Sequence, residues 1–158
     1  MAITLRDAGE NDAAFLLEVY GSTRADELAL ISWTDEQKEA FLRFQFNAQH
    51  SFYHEQYPQA SYKIILQDRE PVGRLYVLRQ EDLIRVLDIT VLPQFRSAGI
   101  GTSLIRELLK EGASTGKLVH IWVEHFNPSL RLFERLGFSK IQEEGINFLM
   151  EWRGDSKQ

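Results

Sequence analysis

The pattern of apolar and polar positions changes period several times along the chain. Alternating or continuous apolar runs are typical of strands, and they predict strands at Ile3–Arg6, Tyr62–Leu66, Val72–Leu78, Leu83–Val91, Leu118–Glu124, Phe138–Gln142 and Asn147–Trp152. Apolar residues at helical spacing predict helices in the segments that contain Phe15–Tyr20, Phe41–Phe52, Leu104–Leu109 and Pro128–Leu136.

The longest predicted helix has a clear start. Thr34 is followed three residues later by Gln37, which is the form of a capping box. The apolar stripe expected to face the core consists of Phe41, Phe44, Ala48 and Phe52. Phe46 falls off that stripe, so we predict that it has a different neighbour or is partly exposed.

The order of the predicted elements indicates the fold class. It runs β, α, α, then a β meander, then βαβ, then αβ and a last strand. Hairpins mixed with crossovers predict an α/β fold (α+β, with a sheet of mixed direction). The chain has no internal repeat, low-complexity tract or linker-like segment, so we expect a single domain over residues 1–158.

Composition and charge narrow the class of protein. The chain has 158 residues, 44 % of them hydrophobic and 26 % charged, which is typical of a packed soluble domain. It contains no cysteine, which excludes disulfides and a cysteine nucleophile and suits a reducing cytoplasm. We expect no membrane partner, because no apolar run approaches about 18 residues. A net charge of −5 argues against nucleic acid as the main partner.

The segment Arg96–Thr102 has the form of an anion-binding turn. A strand leads through Gly99 and Gly101 into a helix, and a helix start presents free backbone N–H groups to an anion. Glycines let phosphate oxygens approach without a Cβ in the way. The spacing fits neither a P-loop, because no lysine follows Gly101, nor a dinucleotide turn, because Leu104 stands where a third glycine would be. A glycine turn without a ligand remains the alternative.

Two blocks of sequence resemble the GNAT superfamily of N-acetyltransferases. The segment Asp88–Gly101 is similar to its acetyl-CoA signature, whose core [Q/R]-x-x-G-x-[G/A] is filled here by Arg96, Gly99 and Gly101. The segment Glu124–Phe138 is similar to a second block, with an asparagine after a strand, a short helix and then L-G-F. The two blocks are correctly ordered and spaced within a strand–turn–helix context, which is what supports such a motif.

The resemblance implies a fold and a mode of cofactor binding. A single GNAT-like domain would have a mostly antiparallel central sheet with helices on both faces, splayed where the strand ending at Val91 parts from the strand ending at Glu124. Pantetheine would pair with the backbone of Ile89, Thr90 and Val91. Pyrophosphate would bind the amides of Arg96, Ser97, Ala98, Gly99, Ile100, Gly101 and Thr102. Asn127 would form a hydrogen bond near the thioester end.

Acetyl transfer also needs a neutral amine. Deprotonating a lysine-like amine at pH 7 costs about 4.6 kcal/mol, against about 1.4 kcal/mol for an α-amine. Glu124, at a strand end beside the implied thioester, is the candidate general base, and its alternative role is that of a polar strand end. Asp88 and Glu27 are reserves, whereas His125 would point to the other face. The N–H near Val91 would polarise the thioester carbonyl.

The general acid departs from the family pattern. Many members carry a tyrosine near the leaving sulfur, and the matching position in the cofactor cleft here is Phe133, which has no proton to give. Either Tyr20 or Tyr76 supplies the proton, or the thiolate leaves unaided, at a cost of about 2 kcal/mol for a thiol with a pKa near 8.5.

Two further groups of residues have both a structural and a functional interpretation. His50 and His54 lie one helical turn apart, but no third ligand is evident, so we predict no metal site. An acceptor pocket or the core could hold the aromatic group Trp33, Phe41, Phe44, Phe46, Phe52 and Tyr53.

The sequence therefore predicts an acetyl-CoA-dependent N-acetyltransferase that acts on a primary amine of a small molecule, peptide or protein. Acetyl-CoA and an amine acceptor are the expected partners, and a homodimer is the candidate assembly. The alternatives are a non-catalytic module that binds or senses acyl-CoA, favoured by Phe133, and an interaction domain whose glycine turn is empty.

Overall fold

The computed structural model describes residues 2–154. Within that range the strands are β1 (Ile3–Asp7), β2 (Ser61–Gln67), β3 (Glu70–Arg79), β4 (Leu83–Val91), β5 (Leu118–Glu124), β6 (Ser139–Glu144) and β7 (Asn147–Trp152). The α-helices are α1 (Ala13–Ser22), α2 (Ala25–Ala29), α3 (Asp35–Gln56), α4 (Ile100–Thr115) and α5 (Leu130–Arg135). Two 3-10 helices cover Glu10–Asp12 and Pro93–Phe95. All seven predicted strands are present, whereas the sequence pattern does not predict α2 and begins α5 two residues early.

The strands form one mixed sheet in the order β1-β2-β3-β4-β5-β7-β6. β1 pairs with β2, and β7 pairs with both β5 and β6, all antiparallel. β4 and β5 are parallel neighbours, as the crossover through α4 requires. The predicted fold class, an α/β fold with a mostly antiparallel open sheet, is confirmed.

The contacts group the chain into two compact units. The first consists of the chain up to Leu75 together with Thr90–Arg96, and the second of Tyr76–Ile89 together with the chain from Ser97 onward. That the chain forms one domain over residues 1–158 therefore stays a prediction, and Met1 and residues 155–158 lie outside the described range.

The first unit is built around α1, α3 and β2. Leu16 and Tyr20 of α1 form a buried cluster with Phe46 of α3 and Ile64 of β2. The rings of Tyr20 and Phe46 lie 6.3 Å apart in a tilted arrangement, which aromatic pairs favour over a face-to-face sandwich.

The predicted start of α3 is confirmed. The Thr34 hydroxyl oxygen accepts a hydrogen bond from the Gln37 backbone N–H at 3.1 Å. The Gln37 side-chain oxygen accepts one from the Thr34 backbone N–H at 2.9 Å. The capping box thus satisfies two backbone donors that a helix start leaves without partners.

The predicted core stripe of α3 is wrong. Phe46 is only 6 % exposed, whereas Phe44 is 69 % and Phe52 is 53 % exposed. Ala48 is also exposed, and Phe41 is half-buried with its ring 5.4 Å from that of Trp33. The helix is apolar on two sides, and the partners in α1 and β2 select the side that carries Phe46.

The second unit follows the sequence pattern closely. Val119, Ile121 and Val123 of β5 are buried, while Trp122 and Glu124 are exposed. The buried face of α4 carries Leu104, Ile105 and Leu108, as predicted. No helix within residues 2–154 is both long enough and apolar enough to cross a membrane.

Candidate functional site

The carboxyl end of β4 is held by two hydrogen bonds. Ile89, Thr90 and Val91 are its last residues, and all three are half-buried. Just beyond them, the Leu92 backbone N–H donates to the Val72 carbonyl oxygen at 2.8 Å. The exposed Arg96 reaches back and donates from Nε to the Val91 carbonyl oxygen at 2.8 Å. The backbone predicted to receive pantetheine is therefore fixed at the strand end.

The turn that follows is left-handed at two positions. Ser97 has a φ of 68° and Gly99 has a φ of 81°, with the exposed Ala98 between them. The left-handed region suits glycine but is uncommon for serine. Turns of this kind direct successive N–H groups toward one point and bind anions.

The start of α4 leaves its backbone donors available. Gly99 is the N-cap and provides no side-chain cap, and the first helical turn carries no acidic residue. The first helical hydrogen bond runs from the Ser103 N–H to the Gly99 carbonyl at 2.9 Å. The amides of Ile100, Gly101 and Thr102 precede it and so lack a partner within the helix. They are three of the seven amides that the family resemblance assigns to pyrophosphate.

The space around both glycines of the turn is open. An ideal Cβ on Gly99 or on Gly101 would meet no atom within 4 Å. Ile100 between them is buried at 2 % exposure, so its side chain anchors the turn and only its backbone faces outward. The turn thus combines free backbone donors with open space around its glycines.

The ladder between the parallel strands β4 and β5 is short. It joins Leu83–Val86 to Leu118–Ile121, although β4 continues to Val91 and β5 to Glu124. The ladder therefore ends before the last residues of either strand.

Glu124 is the last residue of β5 and is exposed. Its backbone lies opposite Asn147 of β7. Within residues 2–154 its carboxylate forms no hydrogen bond or ion pair, so it is available to accept a proton. His125 follows, and its ring lies 5.8 Å from that of Phe148. Phe148 lies opposite Val123 in the ladder, so its side chain is on the Val123 face of the sheet. His125 contacts that ring and is therefore on the face opposite Glu124, as predicted.

The two reserve candidates for the base differ in their surroundings. Glu27 is already engaged, because Arg24 donates to its carboxylate at 3.1 Å. Asp88 is half-buried in β4. Of the three candidates, only Glu124 has a carboxylate without a hydrogen bond or ion pair within residues 2–154.

Asn127 shapes the turn between β5 and α5. Its side-chain oxygen accepts a hydrogen bond from the Ser129 backbone N–H at 2.8 Å. Its own backbone N–H donates to the Glu124 carbonyl at 2.9 Å. The side-chain carbonyl is thus used locally, which makes the NH₂ group the donor that could reach a ligand.

The aromatic residue in place of the family tyrosine lies in the core. Phe133 is 5 % exposed, and its ring meets that of Phe138 edge-on at 5.5 Å. Of the two alternative acids, Tyr76 is buried. Tyr20 is also buried, and its hydroxyl accepts a hydrogen bond from the Arg24 Nε at 3.1 Å. Phe133 therefore has a packing role in the core.

The histidine pair of α3 is packed among aromatic rings. The rings of His50 and His54 lie 4.3 Å apart, and His54 stacks on Tyr62 at 4.1 Å. Burial lowers the pKa of His50, and the nearby His54 and Arg74 lower it further. In the described part of the chain, no three ligand side chains are grouped to hold a metal ion.

The sequence profile of the acetyltransferase (GNAT) family matches residues 27–138. The chain belongs to the GNAT family. The matched segment includes the end of β4, the glycine turn and the Asn127 turn. Among curated proteins, none matches this GNAT chain.

Solved structures show the same fold at low sequence identity. PaiA N-acetyltransferase from Thermoplasma acidophilum, in complex with coenzyme A, has a TM-score of 0.72 and 18 % identity, over 97 % of this GNAT chain and 99 % of that chain. Ard1 from Thermoplasma volcanium has a TM-score of 0.64 and 17 % identity, over 98 % of this GNAT chain and 99 % of that chain. The ribosomal-protein-S18-alanine N-acetyltransferase from Escherichia coli has a TM-score of 0.65 and 15 % identity, over 96 % of this GNAT chain and 93 % of that chain.

The sequence interpretation of this GNAT chain misses Gly73. It lies in β3, where its backbone packs directly on that of Thr90. An isolated glycine inside a strand indicates a bulge or a close backbone approach, so the signal is present in the sequence. It does not reveal which backbone approaches, because Thr90 belongs to the next strand.

Proposed function

We propose that this GNAT chain transfers the acetyl group of acetyl-CoA to a primary amine. The observation that carries the proposal is the uncapped start of α4, where Gly99 and Gly101 leave open space around backbone donors. Hydrogen bonds to a charged acceptor contribute about 1.5–3 kcal/mol each, so a few of them suffice to anchor a pyrophosphate. The helix dipole adds to that attraction. The residues present therefore fit acetyl-CoA.

The chain supplies the groups that acetyl transfer requires. The amine nitrogen attacks the thioester carbonyl carbon, the carbon–sulfur bond breaks and CoA leaves as the thiolate. Glu124 takes the amine proton, directly or through a water molecule, because its carboxylate is exposed and unengaged within residues 2–154. The Val91 N–H polarises the thioester carbonyl. The thiolate leaves without a tyrosine at position 133.

The acceptor belongs to a broad class. A small molecule, a peptide and a protein amine all remain candidates, and the Escherichia coli neighbour acts on an alanine of a ribosomal protein. An α-amine needs the least help, because its pKa is near 8. Acetyl-CoA and this acceptor are the proposed partners, a homodimer is the proposed assembly, and the cytoplasm is the proposed location.

Gly101→Val tests the phosphate turn. The added isopropyl group enters the open space beside the donors and should lower the affinity for acetyl-CoA at least tenfold, about 1.4 kcal/mol, in a calorimetric titration. The fold should be retained, because valine is no less favourable in a helix than glycine.

Gly9→Val is the matched control. Its Cβ also meets nothing within 4 Å, and its φ of −134° suits any residue. This variant should bind acetyl-CoA like the parent. Equal binding by a folded Gly101→Val variant would refute the assignment of the turn.

A panel of amines tests the transfer itself. The parent protein is mixed with acetyl-CoA and each amine, and the free thiol of CoA is detected as it forms. Release that depends on one class of amine supports the proposal and names the acceptor. If acetyl-CoA gives no heat of binding, the third interpretation holds, namely an interaction domain with an empty turn.

The second candidate function is a non-catalytic module that binds or senses acyl-CoA. Phe133 favours it, since a buried phenylalanine occupies the position of the proton-donating tyrosine of many relatives. Tight binding of acetyl-CoA without thiol release from any amine would select this function over transfer.

A further inference from the structure

Gly73 and the end of β4 are packed backbone against backbone. Gly73 is buried, and an ideal Cβ built on it would overlap the carbonyl oxygen of Thr90. The same Cβ would lie 3.0 Å from the Val91 Cα and 3.1 Å from the Thr90 carbonyl carbon. The Thr90–Val91 peptide therefore occupies the space that a side chain would take at position 73.

The ladder between β3 and β4 shows why the two backbones come so close. Near the hairpin the Gln80 N–H donates to the Leu83 carbonyl at 2.8 Å. At the other end the Leu92 N–H donates to the Val72 carbonyl at 2.8 Å. Between these two bonds β4 passes through one residue more than β3 does. An extra residue in one strand is a β-bulge, and the contact with Gly73 places it at Thr90–Val91.

The direction of one carbonyl sets the direction of the next N–H. No cis peptide bond is present in the described residues, so the Thr90–Val91 peptide is trans. In a trans peptide the C=O and the N–H point in opposite directions. Because the Thr90 carbonyl points over Gly73, the Val91 N–H points away from β3. This is the N–H that the proposed function assigns to the thioester carbonyl.

We infer that Gly73 is a positioning residue for acetyl transfer. It lacks the Cβ that would push the Thr90 carbonyl away, and the peptide is thereby held with the Val91 N–H aimed outward. The inference rests on the proposed function. Gly73 touches neither substrate in this role and acts only through the β4 backbone. The pyrophosphate donors at the start of α4 are separate from it along the chain.

Gly73→Ala tests the inference by separating binding from turnover. The added methyl group must displace the Thr90–Val91 peptide, which lies near the end of a strand and can shift. Removing one preorganised donor of this kind lowers kcat by about 10²–10³. We therefore expect single-turnover acetyl transfer at saturating acetyl-CoA to fall at least tenfold, and by a larger factor than the affinity for CoA, because the α4 donors proposed to hold the pyrophosphate are unchanged.

Gly112→Ala is the matched control for a simple loss of packing. Gly112 is also buried, and its Cβ would lie 3.0 Å from the Lys117 carbonyl oxygen and 3.0 Å from the Trp152 ring. Gly112→Ala should lower thermal stability without lowering turnover in the folded protein. A similar loss of turnover in both variants would reduce Gly73 to a packing role and overturn the inference.

The remaining outcomes are also decisive. A folded Gly73→Ala variant with parental turnover overturns the inference while leaving the proposed function intact. A parent protein that neither binds CoA nor releases thiol refutes the proposed function itself. If Gly73→Ala does not fold, the Val91 amide proton of the parent decides by NMR. It should move downfield further with acetyl-CoA than with CoA, and equal shifts would refute the Val91 assignment of the proposed function together with the inference that rests on it.

Discussion

At the scale of single residues, Gly99, Ile100 and Gly101 differ in backbone conformation and in their surroundings. Gly99 is required for its left-handed φ of 81°, whereas Gly101 has an ordinary φ and is distinguished by the space around it. Ile100 has its side chain in the core and contributes only its amide. The motif is thus a pattern of backbone geometry, because two of these residues have no side chain and that of Ile100 is buried.

Glu124 carries the residue-scale prediction about the chemistry. Glu124→Gln keeps the shape of the side chain but cannot take a proton, so turnover should fall while the affinity for acetyl-CoA is retained. A general base contributes about 10²–10⁴-fold. The loss should be largest below the pKa of the acceptor amine and shrink as pH rises, because the amine then deprotonates without help. The measurement is the pH–rate profile of thiol release.

Glu144→Gln is the control for the loss of one negative charge. Glu144 is exposed in β6 and, like Glu124, lies opposite Asn147 of β7. It should leave the pH–rate profile unchanged. If Glu124→Gln also leaves the profile unchanged, Glu124 is not the base.

At the scale of elements, α3 shows how one helix can offer two apolar faces. Its capping box is visible in the sequence because both partners lie within one turn of each other. Its buried face is not visible, because Phe41, Phe44 and Phe52 satisfy helical spacing as well as the core residues do. The strand β5 is simpler, since only its residues Val119, Ile121 and Val123 form an apolar face.

Two phenylalanines of α3 provide a matched test of which face is buried. Phe46→Ala should lower the free energy of unfolding by about 3–5 kcal/mol, because it leaves a cavity beside Tyr20 and Ile64. Phe44→Ala should change it by less than about 0.5 kcal/mol, since that ring is 69 % exposed. Urea denaturation measures both. Equal losses would contradict the assigned orientation of α3.

At the scale of the whole molecule, one ion pair should make the free energy of unfolding depend on pH in acid. Arg6 donates to both carboxylate oxygens of Asp12 at 2.9 Å, and the Gly9 N–H donates to one of them at 2.7 Å. The hydrogen bonds from Arg6 are the main cause that lowers the pKa of Asp12 from 3.8 to about 2. The pair joins β1 to the turn before α1.

A lowered carboxyl pKa stabilises the fold only while the group is ionised. The contribution of Asp12 should be fully present above about pH 4 and disappear as pH falls toward 2. It should amount to at most about 2 kcal/mol, because one unit of pKa corresponds to about 1.4 kcal/mol and the exposed Arg6 is screened by solvent. The stability of the parent and of Asp12→Asn, measured in urea from pH 6 to pH 2, should therefore converge in acid.

The partner variant provides the control for this pH dependence. In an Arg6→Gln background, replacing Asp12 with asparagine should change the free energy of unfolding much less at every pH. The reason is that the main donors to the carboxylate are gone. If the parent and Asp12→Asn differ in free energy of unfolding as much at pH 2 as at pH 6, the ion pair with Arg6 is not the source of the pH dependence.

The amino-acid sequence by itself determined the secondary-structure elements and the position of the glycine turn. Strand and helix periods, the Thr34 capping box and the Arg96–Gly101 motif depend on residues within a few positions of one another, so local pattern predicts them. Family membership also rests on the sequence, because the family profile matches residues 27–138.

Only the tertiary structure decided which of several compatible arrangements is adopted. It buried Phe46 instead of Phe44, placed Phe133 against Phe138, and packed Gly73 on Thr90. Two of these outcomes, at Phe46 and at Gly73, depend on contacts between elements that are distant along the chain. In each such contact the burial of apolar surface or the fit of one backbone against another overrides the preference of a single segment.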